Sequence, residues 1–269
     1  MNAIVEQCRD GVISPEVALA RLALAGVPAA EIAGLVAEAP SLAALVAARP
    51  DAAARLAAMV AACGVTHDEG GVEQVRALFD RAVAHSPEAS VAAYSLGDPE
   101  VLQLATDELL AWLNSERLLA SDADVLDLGC GIGRVAAALA PRVRSVLGID
   151  VSAGMVAEAR QRHPGIVNLR FAVTPGIGLP DFPCDLVLAV DSFPYLVQAG
   201  VAAAHVAAAA RMLRAGGALA ICNLSYRANP ENDAGDAASW AGEFDLRLDI
   251  CGARPFRLWD GAVFLLRRR

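Results

Sequence analysis

Apolar side chains recur at helical spacing through the first 66 residues of the chain, as at Leu35, Val36 and Leu42. Prolines divide this stretch into segments about one helix long, and each proline stands near a segment start, where a helix tolerates it. These prolines are Pro15, Pro28, Pro40 and Pro50. The pattern predicts an all-helical N-terminal extension over residues 1–66. Two roles stay open for it, a capping or homodimer-forming domain and a lid over a substrate.

After residue 115 the pattern changes to short apolar runs, too short for helices, that alternate with helical segments. This alternation predicts an α/β domain with a largely parallel sheet. The predicted strands are Val125–Leu128, Ser145–Ile149, Val167–Val173, Asp185–Val190, Ala218–Ile221, Phe244–Ile250 and Ala262–Leu266. Helices are predicted over 71–86, 100–115 and 199–213, the last closed by a left-handed cap at Gly216. Residues 228–238 are rich in Asn, Asp and Gly and are predicted to form a long loop.

One segment, residues 125–134, combines a buried strand, a glycine turn and the start of a helix. Its glycines stand at alternate positions, Gly129, Gly131 and Gly133. Glycine adopts positive φ and lets a ligand approach the backbone without meeting a Cβ atom. Strand, glycine turn and helix in this order predict a nucleotide-type site at the carboxyl edge of the sheet.

Two features separate this loop from better-known phosphate-binding loops. Arg134 stands where the dinucleotide-binding fingerprint has its third glycine, and the chain contains no lysine for a phosphate loop. Seventeen residues after Gly133, Asp150 closes the second apolar run. A carboxylate at that strand end can accept two hydrogen bonds from a ribose diol.

Val125–Arg134, together with Gly148–Ser152, resembles the S-adenosylmethionine site of the class I methyltransferases, in particular the small-molecule enzymes of bacteria. The resemblance extends over roughly residues 90–269. It implies a Rossmann-like sheet of seven mostly parallel strands, the last one antiparallel, in a methyltransferase domain at 67–269. It also implies that S-adenosyl-L-methionine is the cofactor.

Carried over to this chain, the resemblance places the glycine loop against the methionine and ribose parts of the cofactor. It also implies that the acid after the second strand, Asp150, binds the ribose hydroxyls. Tyr94 precedes the first strand, in a segment that often folds over the methionine end in the family. The resemblance also implies that side chains just after Asp150 border the adenine. Many relatives bind the adenine amino group through an acid or amide after the third strand, and backbone groups near residues 172–174 would take that role here. The implied cofactor-binding residues are Tyr94, Asp127, Gly129, Cys130, Gly131, Gly133, Asp150, Val151, Met155, Val173 and Asp191.

Candidate catalytic residues follow the fourth and fifth strands, where reacting groups converge in an open α/β sheet. Asp191 is expected either to bind the cofactor's ammonium group or to act as a base. Tyr195 is expected to line the acceptor pocket, and Tyr226 follows the fifth strand on the same edge. His205, on the next helix, is a further candidate base, against the alternative of a histidine that points to solvent or caps a neighbouring group.

Charge and cysteine content exclude several other classes of protein. The net charge is −9 and the isoelectric point about 4.9, which makes a nucleic-acid partner unfavourable. The mean hydropathy of +0.44 comes largely from alanine, so no membrane span is expected. The six cysteines form no Cys-x-x-Cys motif, which favours a reduced cytoplasmic setting and gives no support to a metal site. The N-terminus shows no pattern of a signal peptide.

We therefore expect an enzyme that transfers the methyl group of S-adenosylmethionine to a small-molecule acceptor, through oxygen, nitrogen or carbon, by in-line displacement. Two alternatives stay open. One is an NAD(P)-dependent oxidoreductase of Rossmann type, and the other is a non-catalytic cofactor-binding scaffold.

Overall fold

The computed structural model describes residues 3–63, 71–227 and 229–269, which form two compact units. The first, here called the helical unit, comprises residues 3–63, Arg81–Glu108 and Phe256–Asp260. The second, the sheet unit, comprises residues 71–80, Leu109–Pro255 apart from residue 228, and Gly261–Arg269. The predicted domain boundary between residues 66 and 67 lies outside the described residues.

The first half of the chain is helical, as the hydrophobic spacing predicts. The helices are α1 Ala3–Arg9, α2 Pro15–Leu24, α3 Ala29–Leu35, α4 Pro40–Ala48, α5 Ala52–Cys63, α6 Val72–His85, α7 Pro87–Val91 and α8 Pro99–Ser115. Short 3₁₀ turns cover Val36–Glu38 and Ala93–Ser95. Helices α2 and α4 begin at Pro15 and Pro40, where the missing amide proton would have had no partner. The core of the helical unit includes the fully buried Leu19, Leu42 and Leu56.

The sheet unit contains one seven-stranded sheet in the order β3-β2-β1-β4-β5-β7-β6. Its strands are β1 Asp124–Leu128, β2 Ser145–Asp150, β3 Leu169–Val173, β4 Cys184–Val190, β5 Leu213–Cys222, β6 Leu246–Ala253 and β7 Val263–Arg268. β1 to β5 are parallel, and β7 pairs antiparallel with both β5 and β6. The predicted seven-stranded, mostly parallel sheet with an antiparallel last strand is confirmed.

Helices on the two faces bury the central strands, which explains why these strands are continuous apolar runs and not alternating ones. The helices are α9 Arg134–Leu139, α10 Ala153–Arg162, α11 Phe193–Gln198, α12 Ala202–Met212 and α13 Pro230–Glu243. All five residues of β1 are buried. Its Leu126 belongs to a core cluster with Val187 of β4, Ile221 of β5 and Phe264 of β7.

The prediction of a long loop over residues 228–238 is wrong, because α13 begins at Pro230. The polar residues that suggested a loop form the start of this helix. The Asn229 side chain accepts a hydrogen bond from Asn232 N, and acids occupy the first turn, where they complement the helix dipole. Farther along, Ala237 and Trp240 are buried in the core of the sheet unit and stabilise the helix.

The region before the fifth strand also differs from the prediction. The helix predicted over 199–213 is present as α12, Ala202–Met212, but the short helix α11 precedes it and β5 already begins at Leu213. Gly216 has the expected left-handed φ of 79°, but it lies within β5 and does not cap a helix. The pairing of β4 with β5 shifts register at this place. The left-handed backbone of the glycine therefore belongs to an irregular part of β5.

Residues Arg81–Glu108 pack in the helical unit, whereas the sequence placed them in the domain that follows residue 66. Pairing across distant parts of the chain holds this unit together, as in the ion pair between Arg49 and Asp98. Phe256–Asp260, from the connection between β6 and β7, belongs to the same unit. None of the helices in the described ranges has the length and apolarity required to cross a bilayer.

Candidate cofactor and acceptor site

The three glycines after β1 all adopt left-handed backbone conformations. The φ angles are 76° at Gly129, 53° at Gly131 and 79° at Gly133. A Cβ atom at Gly129 would lie 2.3 Å from Ser192 Cβ, and one at Gly133 would lie 2.6 Å from Phe171 Cζ. Any side chain at these two positions would therefore be both strained and in collision with a neighbour. The absence of side chains at Gly129 and Gly133 lets Ser192 and Phe171 pack directly against the loop backbone.

Asp150 joins the glycine loop to the end of β2. Its buried carboxylate accepts hydrogen bonds from Gly131 N through Oδ2 and from Ser152 N through Oδ1, both at 2.9 Å. Burial raises the pKa of this carboxyl group, and the two backbone amides oppose that rise. Each oxygen keeps a second lone pair, so the group can also accept hydrogen bonds from a diol.

Asp127, in β1 beneath the loop, is a buried carboxylate with an incomplete set of partners. It is only 2% exposed, and among the described residues its Oδ2 has no hydrogen-bond partner. Burial raises the pKa of Asp127 to about 7, whereas the charge of Arg134 lowers it and that of Asp150 raises it further. A buried acceptor without a partner is costly. This one fits a ligand that brings a positive charge or a hydrogen-bond donor, such as an ammonium group.

The residues expected around adenine lie beyond Asp150. Ser152 caps α10 by accepting a hydrogen bond from Met155 N at 3.0 Å, as its position in the sequence suggested. Met155 is buried and Val151 is partly buried, whereas Val173, at the end of β3, is 49% exposed. Thr174 N donates to Asp150 O, which holds the end of β3 beside β2. Contact of these side chains with a cofactor remains a prediction.

The sequence reasoning missed the part that α6 has in this site. Asp80 Oδ1 accepts hydrogen bonds from Ser152 Oγ at 2.6 Å and Gly154 N at 2.9 Å. Arg76 Nε donates to Val151 O at 3.1 Å. Asp80 and Arg76 are four residues apart and therefore share one helix face, which is the signal that could have been read. We call Arg76 and Asp80 the α6 clasp, since they hold the segment that follows Asp150.

Val72, one turn before Arg76, continues this contact. A Cβ atom at Gly176 would lie 2.4 Å from Val72 Cγ1 and 2.8 Å from Val151 Cγ1. The start of α6 therefore packs against the segments that follow both β2 and β3, at the carboxyl edge of the sheet.

Asp191 and Asn223 end the neighbouring strands β4 and β5, and both have left-handed backbones, with φ of 55° and 74°. Asn223 Nδ2 donates a hydrogen bond of 2.8 Å to Asp191 Oδ1. The next residue, Ser192, packs on Gly129 and donates from Oγ to Leu128 O at 2.6 Å. The structure thus brings Asp191 beside the glycine loop. Strained backbone of this kind concentrates at functional sites.

Three aromatic rings meet next to Asp191. The Tyr195 ring contacts the Phe79 ring edge to face at 5.0 Å between centroids, and the Tyr226 ring at 5.7 Å. Burial raises the pKa of the Tyr195 phenol and the charge of Asp191 adds to this, whereas a hydrogen bond from Tyr226 opposes it. We call these three residues the aromatic cluster. Two of its members are predicted site residues, and Phe79, on the helix predicted over 71–86, is a further one that was not among the predicted site residues.

Tyr94 and His205 lie in other surroundings. Tyr94 is buried in the helical unit, where its ring stacks on Trp259 at 6.2 Å, and its predicted cofactor contact remains a prediction. His205 is buried on α12, so a solvent-facing orientation is wrong, and burial lowers its pKa. Its Nδ1 pairs with Val201 O at 2.9 Å, and within the described part of the chain no hydrogen bond links it to Asp191.

Metal-ligating side chains and the loop cysteine complete the description of the site. Within the residues that the structure describes, no group of three or more His, Cys, Asp or Glu side chains could hold a metal ion. Cys130, in the glycine loop, is buried, and burial raises its thiol pKa well above the ordinary value. A reactive thiolate there is therefore unfavourable.

Comparison with known proteins agrees with this geometry. A family model described as a methyltransferase domain matches residues 125–217. Trans-aconitate 2-methyltransferase of Methylobacterium nodulans is 39% identical over 106 residues, which are 38% of this chain and 39% of that protein. The 23S rRNA (uracil(1939)-C(5))-methyltransferase of Aeromonas hydrophila is 35% identical over 107 residues, 37% of this chain and 23% of that protein. This chain thus spans well under half the length of either relative.

A solved structure shares the fold over a longer part of the chain. Magnesium protoporphyrin IX methyltransferase from Synechocystis, with bound S-adenosylmethionine, has a TM-score of 0.55 and 20% identity. The match covers 76% of this chain and 99% of that one. The strand order and the glycine loop agree with these comparisons: the sheet unit has the class I, Rossmann-like methyltransferase fold, and residues 125–217 match a methyltransferase domain.

Proposed function

We propose that this protein binds S-adenosylmethionine and transfers its methyl group to a small-molecule acceptor. One observation carries the proposal. The glycine loop, left-handed at all three glycines, is tied to Asp150 and follows the strand that carries Asp127, whose buried Oδ2 has no partner among the described residues. The methyltransferase-domain match over the same residues supports it, and the absence of the third fingerprint glycine at Arg134 disfavours the oxidoreductase alternative.

The residues around the loop fit this cofactor in their chemistry. Asp150 would accept hydrogen bonds from the ribose hydroxyls, and Asp127 with the loop backbone would receive the methionine ammonium. When bound, the cofactor supplies a methyl group already activated on a positively charged sulfur. The chain therefore needs no nucleophile of its own.

What the protein supplies is alignment of the acceptor and exclusion of water, which together account for large rate effects in displacement reactions. Asp191 and Tyr195 lie where an acceptor would approach, and the Asn223 amide holds the Asp191 carboxylate in place. We propose that Asp191 positions the acceptor and, where the acceptor must lose a proton, receives it. The packing of α6 against the ends of β2 and β3 restricts access of water to this edge.

The net charge supports a small-molecule acceptor. Although one relative is named as an rRNA methyltransferase, this chain carries a net charge of −9. Nucleic-acid affinity requires neutralisation of phosphates.

We also propose a cytoplasmic location, because the five cysteines whose side chains the structure describes are free thiols. The helical extension remains our candidate surface for a homodimer, which light scattering over a range of concentrations would test.

Calorimetric titration with S-adenosylmethionine and with NADH tests the cofactor assignment. We expect the wild-type protein to bind the first and not the second. Replacement of Asp150 by Ala should weaken binding by about 100-fold, because two charge-assisted hydrogen bonds are lost. Tight binding of NADH, or an unchanged affinity of Asp150→Ala for S-adenosylmethionine, would contradict the proposal.

Asp181→Asn is the matched control for this experiment, since it removes an exposed acid from the same unit. Circular dichroism of both variants shows whether each is folded. Mass spectrometry for S-adenosylhomocysteine in the presence of candidate acceptors then separates an enzyme from a scaffold that only binds the cofactor.

A further inference from the structure

We infer that the aromatic cluster forms the binding wall for the acceptor, and that the acceptor carries a flat aromatic group without a negative charge. This inference rests on the proposed function, because it concerns the molecule that receives the methyl group. It goes further in naming the chemical class of that molecule and Tyr226 as the residue that selects it.

The first observation is the position of the cluster. Tyr195 lies on α11 directly after β4, and Tyr226 follows β5, so both stand at the carboxyl edge of the sheet. Ser192, three residues before Tyr195, contacts Gly129 of the loop. A group bound against these rings would therefore be next to the part of the site where the loop begins.

The second observation is that Tyr226 is exposed although its surroundings are ordered. Its side chain is 59% exposed, whereas Phe79 and Tyr195 are partly buried. Tyr195 meets the Tyr226 ring at an interplanar angle of 82° and accepts its hydroxyl hydrogen bond. Tyr226 therefore presents a large apolar surface to solvent in a fixed direction. Aromatic rings gain from stacking on such a surface in addition to the area they bury.

The third observation explains what fixes the ring. Both sequence neighbours of Tyr226 are anchored to the first turns of α13. Ser225 Oγ donates to Asp233 Oδ1 at 2.7 Å. The Arg227 guanidinium contacts Asp233 at 2.6 Å and Asp236 at 2.7 Å. With its backbone held on both sides, Tyr226 loses little further freedom when a ligand binds, which favours affinity.

The charges around the cluster define the class of ligand more closely. The Asp191 carboxylate lies close enough to Tyr195 to raise the pKa of its phenol, and Asp191 is itself held in place by Asn223. The nearest cation along the chain, Arg227, is already paired with two aspartates. An anionic acceptor would meet the Asp191 charge while the Arg227 guanidinium is engaged by its two aspartates, whereas an amine or a phenol would find a hydrogen-bond acceptor there.

Ligand-detected NMR with three flat probes tests this inference: 2-naphthol, 2-naphthylamine and 2-naphthoate. Decahydro-2-naphthol, the uncharged saturated counterpart of 2-naphthol, serves as the shape control, and every titration uses protein saturated with S-adenosylhomocysteine. We expect the two uncharged aromatic probes to bind about tenfold more tightly than both this saturated probe and the anionic 2-naphthoate.

Variants at Tyr226 then assign the preference to this ring. Tyr226→Leu should abolish the advantage of flat probes over the saturated one, and Tyr226→Phe should retain most of it because the ring remains. Val167→Ala is the matched control, since it shortens an apolar side chain that is 99% exposed in the same unit. It should leave the binding of all probes unchanged.

The affinity for S-adenosylhomocysteine is measured separately by calorimetry on each variant, and we expect it to stay at the wild-type value. If S-adenosylhomocysteine binds but the flat probes do not bind, bind no better than the saturated one, or bind best as the carboxylate, the inference is wrong while the proposed function stands. The same holds if Tyr226→Leu keeps the aromatic preference. If S-adenosylhomocysteine does not bind to the wild-type protein, both proposals fail.

Discussion

At the scale of single residues, the site depends on carboxylates kept in different states by their surroundings. Asp150 is buried but receives two backbone hydrogen bonds, whereas Asp127 is buried with one oxygen that lacks a partner among the described residues. The first is suited to accept hydrogen bonds from a neutral diol. The second is suited to a cation, since a cation favours the ionised form that burial disfavours.

A pH series of unfolding measurements on wild type and Asp127→Asn tests the state of this carboxyl group. Because its pKa is raised to about 7 in the folded protein, the folded state binds more protons than the unfolded state between about pH 4 and about pH 7. The stability contributed by Asp127 is therefore full at acidic pH and declines as the pH rises through this range.

Relative to Asp127→Asn, the free energy of unfolding of the wild type should fall over that interval, as followed by denaturant titration of the cofactor-free protein. The variant has no group that titrates at this position and thus provides the reference curve. A pH-independent difference between the two proteins would contradict a raised pKa.

At the scale of elements, α6 is the helix that packs against the carboxyl edge of the sheet at the expected site. The α6 clasp joins Asp80 and Arg76 to the residues after Asp150, and the Phe79 ring of the same helix contacts Tyr195. One helix thus contacts both the expected ribose side and the expected acceptor side. The hydrophobic pattern predicts the helix correctly but contains no information on which strand ends it would meet.

Asp80→Ala tests the clasp. The loss of the hydrogen bonds to Ser152 Oγ and Gly154 N should cost about 1–2 kcal/mol of stability, because the start of α10 loses a cap. Since Ser152 N also holds Asp150, we expect cofactor affinity to fall by about tenfold, as measured by calorimetry.

Glu158→Ala is the control for this variant, because it removes an exposed ion pair with Arg162 on the same helix. It should cost no more than about 0.5 kcal/mol and leave affinity unchanged. If the two variants have equal effects on affinity, α6 has no specific part in the site.

At the scale of the whole sheet unit, the two ends of the parallel strands have separate tasks. The carboxyl edge carries the glycine loop and the predicted site residues, whereas the amino edge carries ion pairs. There Asp124, at the start of β1, pairs with Arg144 and Arg214, and Arg214 also contacts Asp185 at 2.6 Å. These ion pairs hold the pKa of Asp124 well below its ordinary range, with the guanidinium of Arg144 as the main cause.

Asp124→Asn should therefore reduce stability without an effect on cofactor binding. We expect a loss of about 1–2 kcal/mol at neutral pH, since the arginines are partly exposed and their charges are screened. A lowered pKa stabilises the folded state above the ordinary carboxyl pKa, and this contribution disappears as the pH falls below it. The difference between wild type and variant in thermal unfolding should accordingly shrink in acid, while calorimetry shows the same affinity for S-adenosylmethionine.

The sequence alone was sufficient for the features that depend on local pattern. The number and the direction of the strands followed from short apolar runs and from a resemblance that rests on Gly129, Gly131 and Gly133, because such a loop adopts its conformation from its own residues. Where composition misled, as in residues 228–238, the polar residues were a helix cap and first turn, and the burial of Trp240 decided the outcome.

Only the tertiary structure decided which distant residues meet. That Asp80 binds the segment after Asp150, that Asp127 is left without a partner for Oδ2 among the described residues, and that Tyr226 joins Tyr195 all depend on packing between elements far apart in the chain. Hydrophobic periodicity specifies which face of an element is buried, but the partner of that face is set by how the whole sheet unit fills its interior. For that reason the glycine loop could be predicted from the order of residues in the sequence. The contacts of Asp80, Asp127 and Tyr226 around it could not be predicted in that way.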